Sequence, residues 1–339
     1  MKKRRRYLRL LNYVVSAAIL AYVLWQLHPA GLLDLVERVH WPLFVLALSL
    51  GVVSMVLQAA RWHFLLGRKM RYRSVLQATY LGMLVNEVFP LHAGEFVRAL
   101  VVSRRLDQRM GRVFSTQVME RVSDGVGAFL LVWFVASRLR LSASLQLGAH
   151  AFEGIIGFIV VGLALIAWKQ HALDRLLERW QPRRRPFHGL HRLSLDFLSG
   201  MHLFRNAGSL LVSGTVALTV VMLQVATIWV ALRAFQLPLS LPHAAAVAAL
   251  ISLGTTLPNA PGNTGPWQFF CMLGLSLFGV EKSMAAGFAT VMFTSITLVL
   301  VLGGVIALVL SPYGWRDLSG LRGVTDTPQP VPVRVGRLP

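Results

Sequence analysis

The chain has 339 residues, of which 55% are hydrophobic and only 14% are charged, and its mean hydropathy is +0.60. A soluble protein carries about a quarter of charged residues, so this composition excludes an ordinary soluble enzyme and indicates an integral membrane protein. The formal net charge of +20 would also suit a nucleic-acid-binding protein. In a membrane protein the same excess follows from retention of Lys and Arg on the cytoplasmic side, so no nucleic-acid partner is predicted.

The chain begins with a basic segment, residues 1–7, followed by the apolar run Leu8–Leu27. This run is longer than the core of a signal peptide, which has about 7–15 residues, and no small-x-small cleavage site follows it. It is therefore predicted to be a retained spanning helix behind a cytoplasmic N-terminal tail.

Six apolar segments have about the 17–25 residues that a transmembrane helix requires, or a few more that tilt can absorb. They are Leu8–Leu27, Pro42–Ala60, Val113–Ala136, Ala151–Trp168, Gly208–Phe235 and Met284–Leu310. Together they predict a single membrane domain over residues 8–310.

Two other apolar segments, Ser74–Phe89 and His243–Leu257, are too short to cross a bilayer. Each ends in a Pro/Gly-rich turn and resumes as another short helix, Gly94–Arg104 and Gly265–Gly279 respectively. Read as re-entrant hairpins, these segments leave every basic run on the cytoplasmic side, whereas full spans would place some outside. The basic runs are residues 2–9, Arg61 together with 68–73, 104–112, 169–205 and 316–337.

The predicted order of two spans, a hairpin and a span occurs twice, in residues 8–136 and 151–310. The first hairpin opens to the cytoplasm and the second to the outside, so the halves are inverted, as in many secondary transporters. The predicted fold is an all-α integral membrane protein with about eight membrane segments. Both termini are predicted to be cytoplasmic.

Two regions outside the spans are distinctive. The loop 169–207 contains apolar residues at helical spacing beside many basic ones, which predicts an amphipathic helix on anionic inner-leaflet lipid. The tail 311–339 is rich in Pro and poor in apolar residues, which predicts disorder.

Charged residues within the apolar chain form two clusters. An ionisable residue at membrane depth costs about 2.5 kcal/mol or more, so each is a candidate functional residue. Glu120 and Asp124 share a helix face at i,i+4, where two carboxylates repel, so they require a cation, for which Arg98 or Arg121 is the candidate. The clusters comprise Asn86, Glu87, Glu95 and Arg98 in the first hairpin, and Glu120, Arg121 and Asp124 in the third span.

The second hairpin carries an uncharged polar cluster. The helices that start near Gly94 and Gly265 would point free N–H groups inward, and helix N-termini bind anions such as phosphate. Arg98 would add a charged contact, and the carboxylates would couple movement to protons. The candidate ligand residues here are Asn259, Asn263 and Thr264, and the turn residues are Pro90, Gly94, Pro261, Gly262 and Gly265.

A structural interpretation remains open beside this functional one. The charged residues would then pair only with one another and fix the first hairpin to the third span. Asn259 and Asn263 would then be turn and cap residues.

The sequence predicts no metal, no cofactor and no enzymatic activity. Its one cysteine, Cys271, offers neither a CxxC pattern nor a Cys/His metal pattern. A nucleophile–base pair and a nucleotide-binding loop are also lacking.

Three segments, NEVFPLHAGEFVRA, VMERVSD and LPNAPGNTG, resemble in order the signature segments of the lysylphosphatidylglycerol synthase transmembrane-region family. The resemblance covers about residues 8–310. It implies a bacterial inner-membrane protein that handles or translocates a phospholipid, glycolipid or polyprenyl-linked lipid. The family motif residues correspond to Asn86, Pro90, Gly94, Glu95, Arg98, Glu120, Arg121, Asp124, Pro261, Gly262 and Gly265.

The chain departs from this family in two respects. Gln268 stands where the family commonly has a glutamate, so an acidic role at that position is not expected. No soluble aminoacyl-transferase domain follows the last predicted span, so the resemblance does not imply lipid aminoacylation.

The favoured hypothesis is a flippase-like lipid transporter whose substrate headgroup passes through a polar site between the two hairpins. The alternatives are a non-transporting partner of a lipid-modifying or lipid-synthesis enzyme, and a membrane-embedded enzyme acting on a lipid-linked substrate.

Overall fold

The computed structural model describes residues 20–23, 25, 35–89, 93–108, 110–139, 143–169, 206–256 and 261–310. Within these residues the chain forms helices and no strand, which confirms the all-helical class. The helices are α1 (Trp41–Leu65), α2 (Tyr72–Val88), α3 (Ala93–Leu106), α4 (Met110–Arg138), α5 (Ala143–Trp168), α6 (Ala207–Ala234), α7 (Leu241–Thr256), α8 (Pro266–Leu277) and α9 (Lys282–Leu310). A short 3₁₀ turn, Pro261–Asn263, precedes α8.

Three of the described helices, α1, α6 and α9, are long and apolar enough to cross a membrane. Helix α4 is also long, at 29 residues, but it carries Glu120, Arg121 and Asp124 in its first half. The chain therefore combines apolar helices with a long helix that carries three charged residues.

The predicted segments fall where the helices lie. Five of the six predicted spans lie within or almost within α1, α4, α5, α6 and α9, and the short segments correspond to α2, α3, α7 and α8. The predicted tail 1–7, most of the first span, the body of the loop 169–207 and the tail 311–339 lie outside the described residues.

Helices α2 and α3 fold back on one another. Arg105 near the end of α3 donates from Nη1 to the hydroxyl of Ser74 near the start of α2, at 3.4 Å. Two glycines allow the close approach at the other end of the pair. A Cβ on Gly82 would lie 2.9 Å from the Gly94 carbonyl oxygen, and a Cβ on Gly94 would overlap the Gly82 carbonyl oxygen.

Helices α7 and α8 form a second antiparallel pair. The rings of His243, at the start of α7, and Phe278, after the end of α8, lie 4.5 Å apart between centroids. A Cβ on Gly254 would overlap the Phe270 ring, so a glycine again sets the distance between the two helices. Both breaks that Pro and Gly predict in the sequence are therefore helical hairpins.

Two sets of four helices, α1–α4 and α6–α9, contact each other in a reciprocal way. Helix α1 packs along α6, and the His40 amide before α1 donates to the Ala234 carbonyl oxygen at the end of α6, at 2.8 Å. Helix α2 packs on α9, and α7 correspondingly packs on α4. Exchanging the two sets maps these contacts onto one another.

Among the described residues, the core has two large apolar clusters with a polar band between them. One cluster contains Phe44 and Ala47 of α1, and the other contains Trp62 near the end of the same helix. Between these positions α1 buries Ser54 and Arg61. Since buried polar groups require partners, this band is the region in which a polar site is expected.

Replacing Gly94 with Ala should destabilise the first hairpin, because the new methyl group overlaps the backbone of α2. Overpacking of this kind costs about 1–3 kcal/mol. The apparent unfolding temperature of the detergent-solubilised protein should fall.

The matched control is Gly214→Ala in α6, where a Cβ meets no atom within 4 Å. Equal unfolding temperatures of the two variants would contradict the close packing of α2 on α3.

Candidate functional site

Arg61 of α1 is the most buried charge of the polar band, with a side chain that is 1% exposed. Its Nη1 donates to Asp124 Oδ1 at 2.7 Å, and its Nη2 donates to Asp124 Oδ2 at 3.2 Å. Its Nε lies 3.6 Å from Glu120 Oε1. A planar guanidinium matches a carboxylate in this two-bonded geometry, so Arg61 joins α1 to α4 with a fixed orientation.

Arg98 joins the first hairpin to the same helix through Glu120. Its Nη2 donates to Glu120 Oε2 at 2.6 Å, and its Nη1 lies 3.6 Å from Glu95 Oε2. The guanidinium also lies over the Trp62 ring, 4.1 Å from the centroid, which is a favourable cation–π distance. Glu120 is thus held between two arginines from different helices.

Arg121 of α4 donates from Nη2 to Glu95 Oε1 and completes the set of ion pairs. The six charges form one chain of alternating sign, in which each interior residue contacts a partner on either side. In order, this ionic chain consists of Asp124, Arg61, Glu120, Arg98, Glu95 and Arg121.

The ionic chain is buried in its middle and open at its ends. The end residues Arg121 and Asp124 are 61% and 34% exposed, whereas the side chains of Arg61 and Glu120 are almost fully buried. The two ends carry opposite charges and lie one turn apart on α4. They are therefore the charges best placed to meet a ligand.

A cavity of about 180 Å³, called here the ionic cavity, lies against the ionic chain. It is lined by all six residues of the ionic chain together with Gln58, Gly82, Met83 and Asn86. Its formal charges, three guanidinium groups and three carboxylates, cancel. A polar ligand that enters can exchange hydrogen bonds with groups that are already oriented by one another.

Two amides support the hairpin side of the ionic cavity. The Asn86 side-chain oxygen accepts a hydrogen bond from the Gly94 amide at 2.7 Å, across the turn between α2 and α3. Gln117 of α4 donates from Nε2 to the Glu95 carbonyl oxygen at 3.1 Å. The first turn of α3, which carries Glu95, is thus held from both α2 and α4.

The second hairpin reaches the first through Glu87. A Cβ on Gly262 would overlap Glu87 Oε2, so the carboxylate at the end of α2 lies directly against the 3₁₀ turn. Gly262 has φ of 63°, a left-handed conformation that suits glycine. Asn263 has φ of 56° and is a turn residue, as one interpretation of the sequence predicts.

The polar residues after this turn are engaged with its backbone. The Thr264 hydroxyl donates to the Pro261 carbonyl oxygen at 3.0 Å. The Gln268 side-chain oxygen accepts from the Gly265 amide at 2.8 Å, so Gln268 caps the start of α8. Gln268, which stands where the family commonly has a glutamate, therefore makes a structural hydrogen bond in this chain.

The prediction of free N–H groups at the helix starts near Gly94 and Gly265 is wrong for the amides of these two glycines. Both amides donate to side chains, Asn86 and Gln268 respectively, instead of pointing unpaired into a binding site. Side-chain capping satisfies these two N–H groups locally. The sequence of the turns alone does not reveal these caps. The anion-binding role of these two amides is therefore not supported by the geometry.

Gly94 lies at the close contact between α2 and α3, and the other predicted candidates fall into three groups. Asn86, Glu95, Arg98, Glu120, Arg121 and Asp124 meet at the ionic cavity. Glu87, Pro261, Gly262, Thr264 and Gly265 lie at or beside the second turn, and Asn263 lines a different cavity of about 270 Å³. Pro90 and Asn259 lie outside the described residues.

Arg61 and Gln58 are site residues that the sequence interpretation missed. The assignment of Arg61 to the basic flank after the second span is wrong, because α1 continues to Leu65 and the side chain is buried. Its position at the end of an apolar run looks like an ordinary flank, and its partner Asp124 is 63 residues away. A polar stripe at helical spacing, Ser54, Gln58 and Arg61, was the signal that could have revealed it.

The expected cation for the two carboxylates of α4 is partly confirmed. Arg98 binds Glu120, as predicted, whereas Arg121 forms its hydrogen-bonded ion pair with Glu95. The partner of Asp124 is Arg61. The ion pairs also join the hairpin to α4, which is the arrangement that the structural interpretation predicts.

Comparison with known proteins gives one family. The family model described as lysylphosphatidylglycerol synthase TM region matches residues 9–304. A UPF0104 membrane protein of Methanocaldococcus jannaschii is 21% identical over 297 residues, which cover 82% of this chain and 86% of the relative. No solved structure matches the chain significantly.

Replacing Arg61 with Gln should strongly destabilise the protein, because it leaves buried carboxylates without their cation. Loss of one partner of a buried ion pair costs about 3–5 kcal/mol. The double variant Arg61→Gln/Asp124→Asn should be more stable than the sum of the single effects predicts, by about 0.5–3 kcal/mol. Unfolding in detergent measures all three variants.

Arg138→Gln, an exposed change at the other end of α4, is the control and should shift stability by less than about 0.5 kcal/mol. Strict additivity of the Arg61 and Asp124 effects would show that the two side chains do not interact.

Proposed function

The chain belongs to the lysylphosphatidylglycerol synthase transmembrane-region family, and from this premise we propose that it transports lipids. In this proposal a phospholipid, glycolipid or polyprenyl-linked lipid passes its headgroup through the ionic cavity while its chains remain in an apolar environment. The observation that carries the proposal is the ionic cavity itself, since it places six charged side chains between two apolar clusters.

The energetics favour a functional role for this cavity. Each ionisable residue at membrane depth is expensive, and burial of ion pairs is often no better for stability than apolar packing. The ion pairs beside the ionic cavity therefore support a function in which the charged side chains bind a ligand. A headgroup that enters the cavity replaces water with oriented donors and acceptors, which lowers the cost of bringing it into the apolar region.

The membrane arrangement is part of the proposal. Helices α2, α3, α7 and α8 have 17, 14, 16 and 12 residues. Helix α2 is at the lower limit of about 17 residues for a span and the other three helices are below it, which supports two re-entrant hairpins in place of four further spans. The reciprocal contacts of α1–α4 and α6–α9 support an inverted repeat of about eight membrane segments.

Basic residues orient the protein in the proposal. Arg68, Lys69 and Arg71 lie between α1 and α2, Arg73 is the second residue of α2, and Arg104, Arg105 and Arg112 flank the loop between α3 and α4. The positive-inside rule places both loops, and with them the opening of the first hairpin, in the cytoplasm of a bacterial cell. Anionic inner-leaflet lipid would be attracted to the same residues.

Transport here requires no chemical change of the lipid. The carboxylates and arginines of the ionic chain are engaged with one another and serve to bind and orient a headgroup, so the protein is proposed not to be an enzyme. A lipid-synthesis enzyme could supply its substrate as a partner protein.

Purified protein in liposomes with labelled lipids tests the proposal. We expect the labelled headgroup to move between the leaflets. Lipid extraction and mass spectrometry should then detect no new lipid species. Appearance of a modified lipid would identify an enzyme, and absence of both would favour a non-transporting partner of an enzyme.

Arg121→Gln should slow this movement about tenfold or more, which corresponds to about 1.4 kcal/mol, because it removes an exposed end charge of the ionic chain. Arg138→Gln removes one positive charge from the same helix outside the ionic cavity and should leave the rate unchanged. Equal rates in both variants, with both proteins folded, would exclude Arg121 from the transport path.

A further inference from the structure

The larger cavity of about 270 Å³ is a mostly apolar groove, called here the chain groove. It lies between α1, α6, α7 and α9, and Trp267 of α8 and Asn263 also line it. Its apolar lining includes Ala47, Leu48 and Gly51 of α1 and Ile296 of α9. The charge chemistry described above does not use this groove.

The chain groove and the ionic cavity adjoin one another along α1. Gln58 lines both of them, and Arg61 follows it by one helical turn on the same face. Gln58 also contacts the Ser54 hydroxyl at 3.5 Å, and Ser54 lines the chain groove. Along one face of α1, apolar side chains are therefore followed by the amide of Gln58 and then by the guanidinium of Arg61. A lipid changes in the same order, from its apolar chain to its polar headgroup.

The dimensions of the two cavities suit a polar headgroup and one acyl chain of a lipid. From Ala47 to Gln58 the chain groove extends about 16 Å along α1, given a rise of 1.5 Å per residue. This is about half of a hydrocarbon core of about 30 Å, which is the depth that the chains of a single leaflet occupy. The two volumes together fall within the range of about 300–1,000 Å³ that is typical of small-molecule sites.

The charge of the ionic cavity restricts the headgroup. Its six formal charges cancel, and its exposed ends are one cation, Arg121, and one anion, Asp124. A phosphate can bind Arg121 while an ammonium binds Asp124, so a headgroup that carries both leaves no charge without a partner. A headgroup with phosphate alone adds one uncompensated negative charge, which is unfavourable in a buried site.

We propose that a single zwitterionic phospholipid binds across both cavities, with its phosphate and ammonium groups on the ends of the ionic chain and an acyl chain in the chain groove. Gln58 lies at the junction, where its amide can bond to the glycerol ester region. This inference rests on the proposed function, since the ionic cavity is taken as the headgroup site. It adds the class of the headgroup and the location of the chain.

Photo-crosslinking of the purified protein in non-ionic detergent tests this proposal. The probes are phosphatidylethanolamine and phosphatidylglycerol, each with a diazirine in the middle of one acyl chain, and labelled peptides are identified by mass spectrometry. Labelling is expected in α1 between Ala47 and Met55 and in α9 between Ile296 and Leu300. The zwitterionic probe is expected to half-saturate this labelling at about a tenfold lower concentration than the anionic probe.

A matched pair of glycine variants tests the location of the chain. Gly51→Leu places a side chain in the chain groove, and Gly214→Leu places the same side chain in α6 outside the residues that line it. A Cβ meets no atom within 4 Å at either glycine. Unfolding temperatures close to that of the unaltered protein establish that both variants are folded before labelling is compared. Labelling should fall about tenfold in Gly51→Leu and remain unchanged in Gly214→Leu.

Two results would overturn the inference. Equal labelling of Gly51→Leu and Gly214→Leu would show that the acyl chain does not occupy the chain groove. Equal or tighter labelling by phosphatidylglycerol would show that the ionic cavity does not select a zwitterion. Since this assay measures binding without movement, the inference can stand if liposome transport fails, and it can fail while transport is observed.

Discussion

The alternating ionic chain from Asp124 to Arg121 is the interaction on which the rest of the polar band depends. Its members come from α1, α3 and α4, so the ion pairs of Arg61, Arg98 and Arg121 with the carboxylates of other helices are also contacts between helices. In a low-dielectric interior a charge without a partner is far more costly than a paired one, which makes the correct packing of these helices a condition for burying the charges. The ionic chain thus fixes the first hairpin in place and at the same time keeps two charges accessible at its ends.

Close backbone contacts at glycine residues bring the helices near enough for the ion pairs to form. Gly82 and Gly94 let α3 approach α2, and this approach places Arg98 within reach of Glu120. In the second hairpin Gly262 leaves room for Glu87, so an acidic residue of one hairpin contacts the turn of the other. The two hairpins therefore differ in chemistry while they meet directly: the first carries the charge, and the second supplies a shaped turn and part of the chain groove.

The parts of this structure that follow from local sequence could be predicted, and those that depend on distant partners could not. Apolar length and Pro/Gly breaks located the helices, because both act over a few residues. The i,i+4 spacing of Glu120 and Asp124 correctly predicted that these carboxylates have a cationic partner. It could not identify Arg61, since a pair separated by 63 residues leaves no local pattern. The amide caps from Asn86 and Gln268 were missed because they depend on the path of the turns.

The six charges of the ionic chain depend on the alternation of their signs and do not act as three separate pairs. The double exchange Arg98→Glu/Glu120→Arg tests this dependence. It preserves an ion pair between these two positions, but it places the introduced arginine against Arg61 and the introduced glutamate against Glu95. We expect the unfolding temperature of the double exchange to stay at least as low as that of either single variant. Recovery of the double exchange to the stability of the unaltered protein would contradict it.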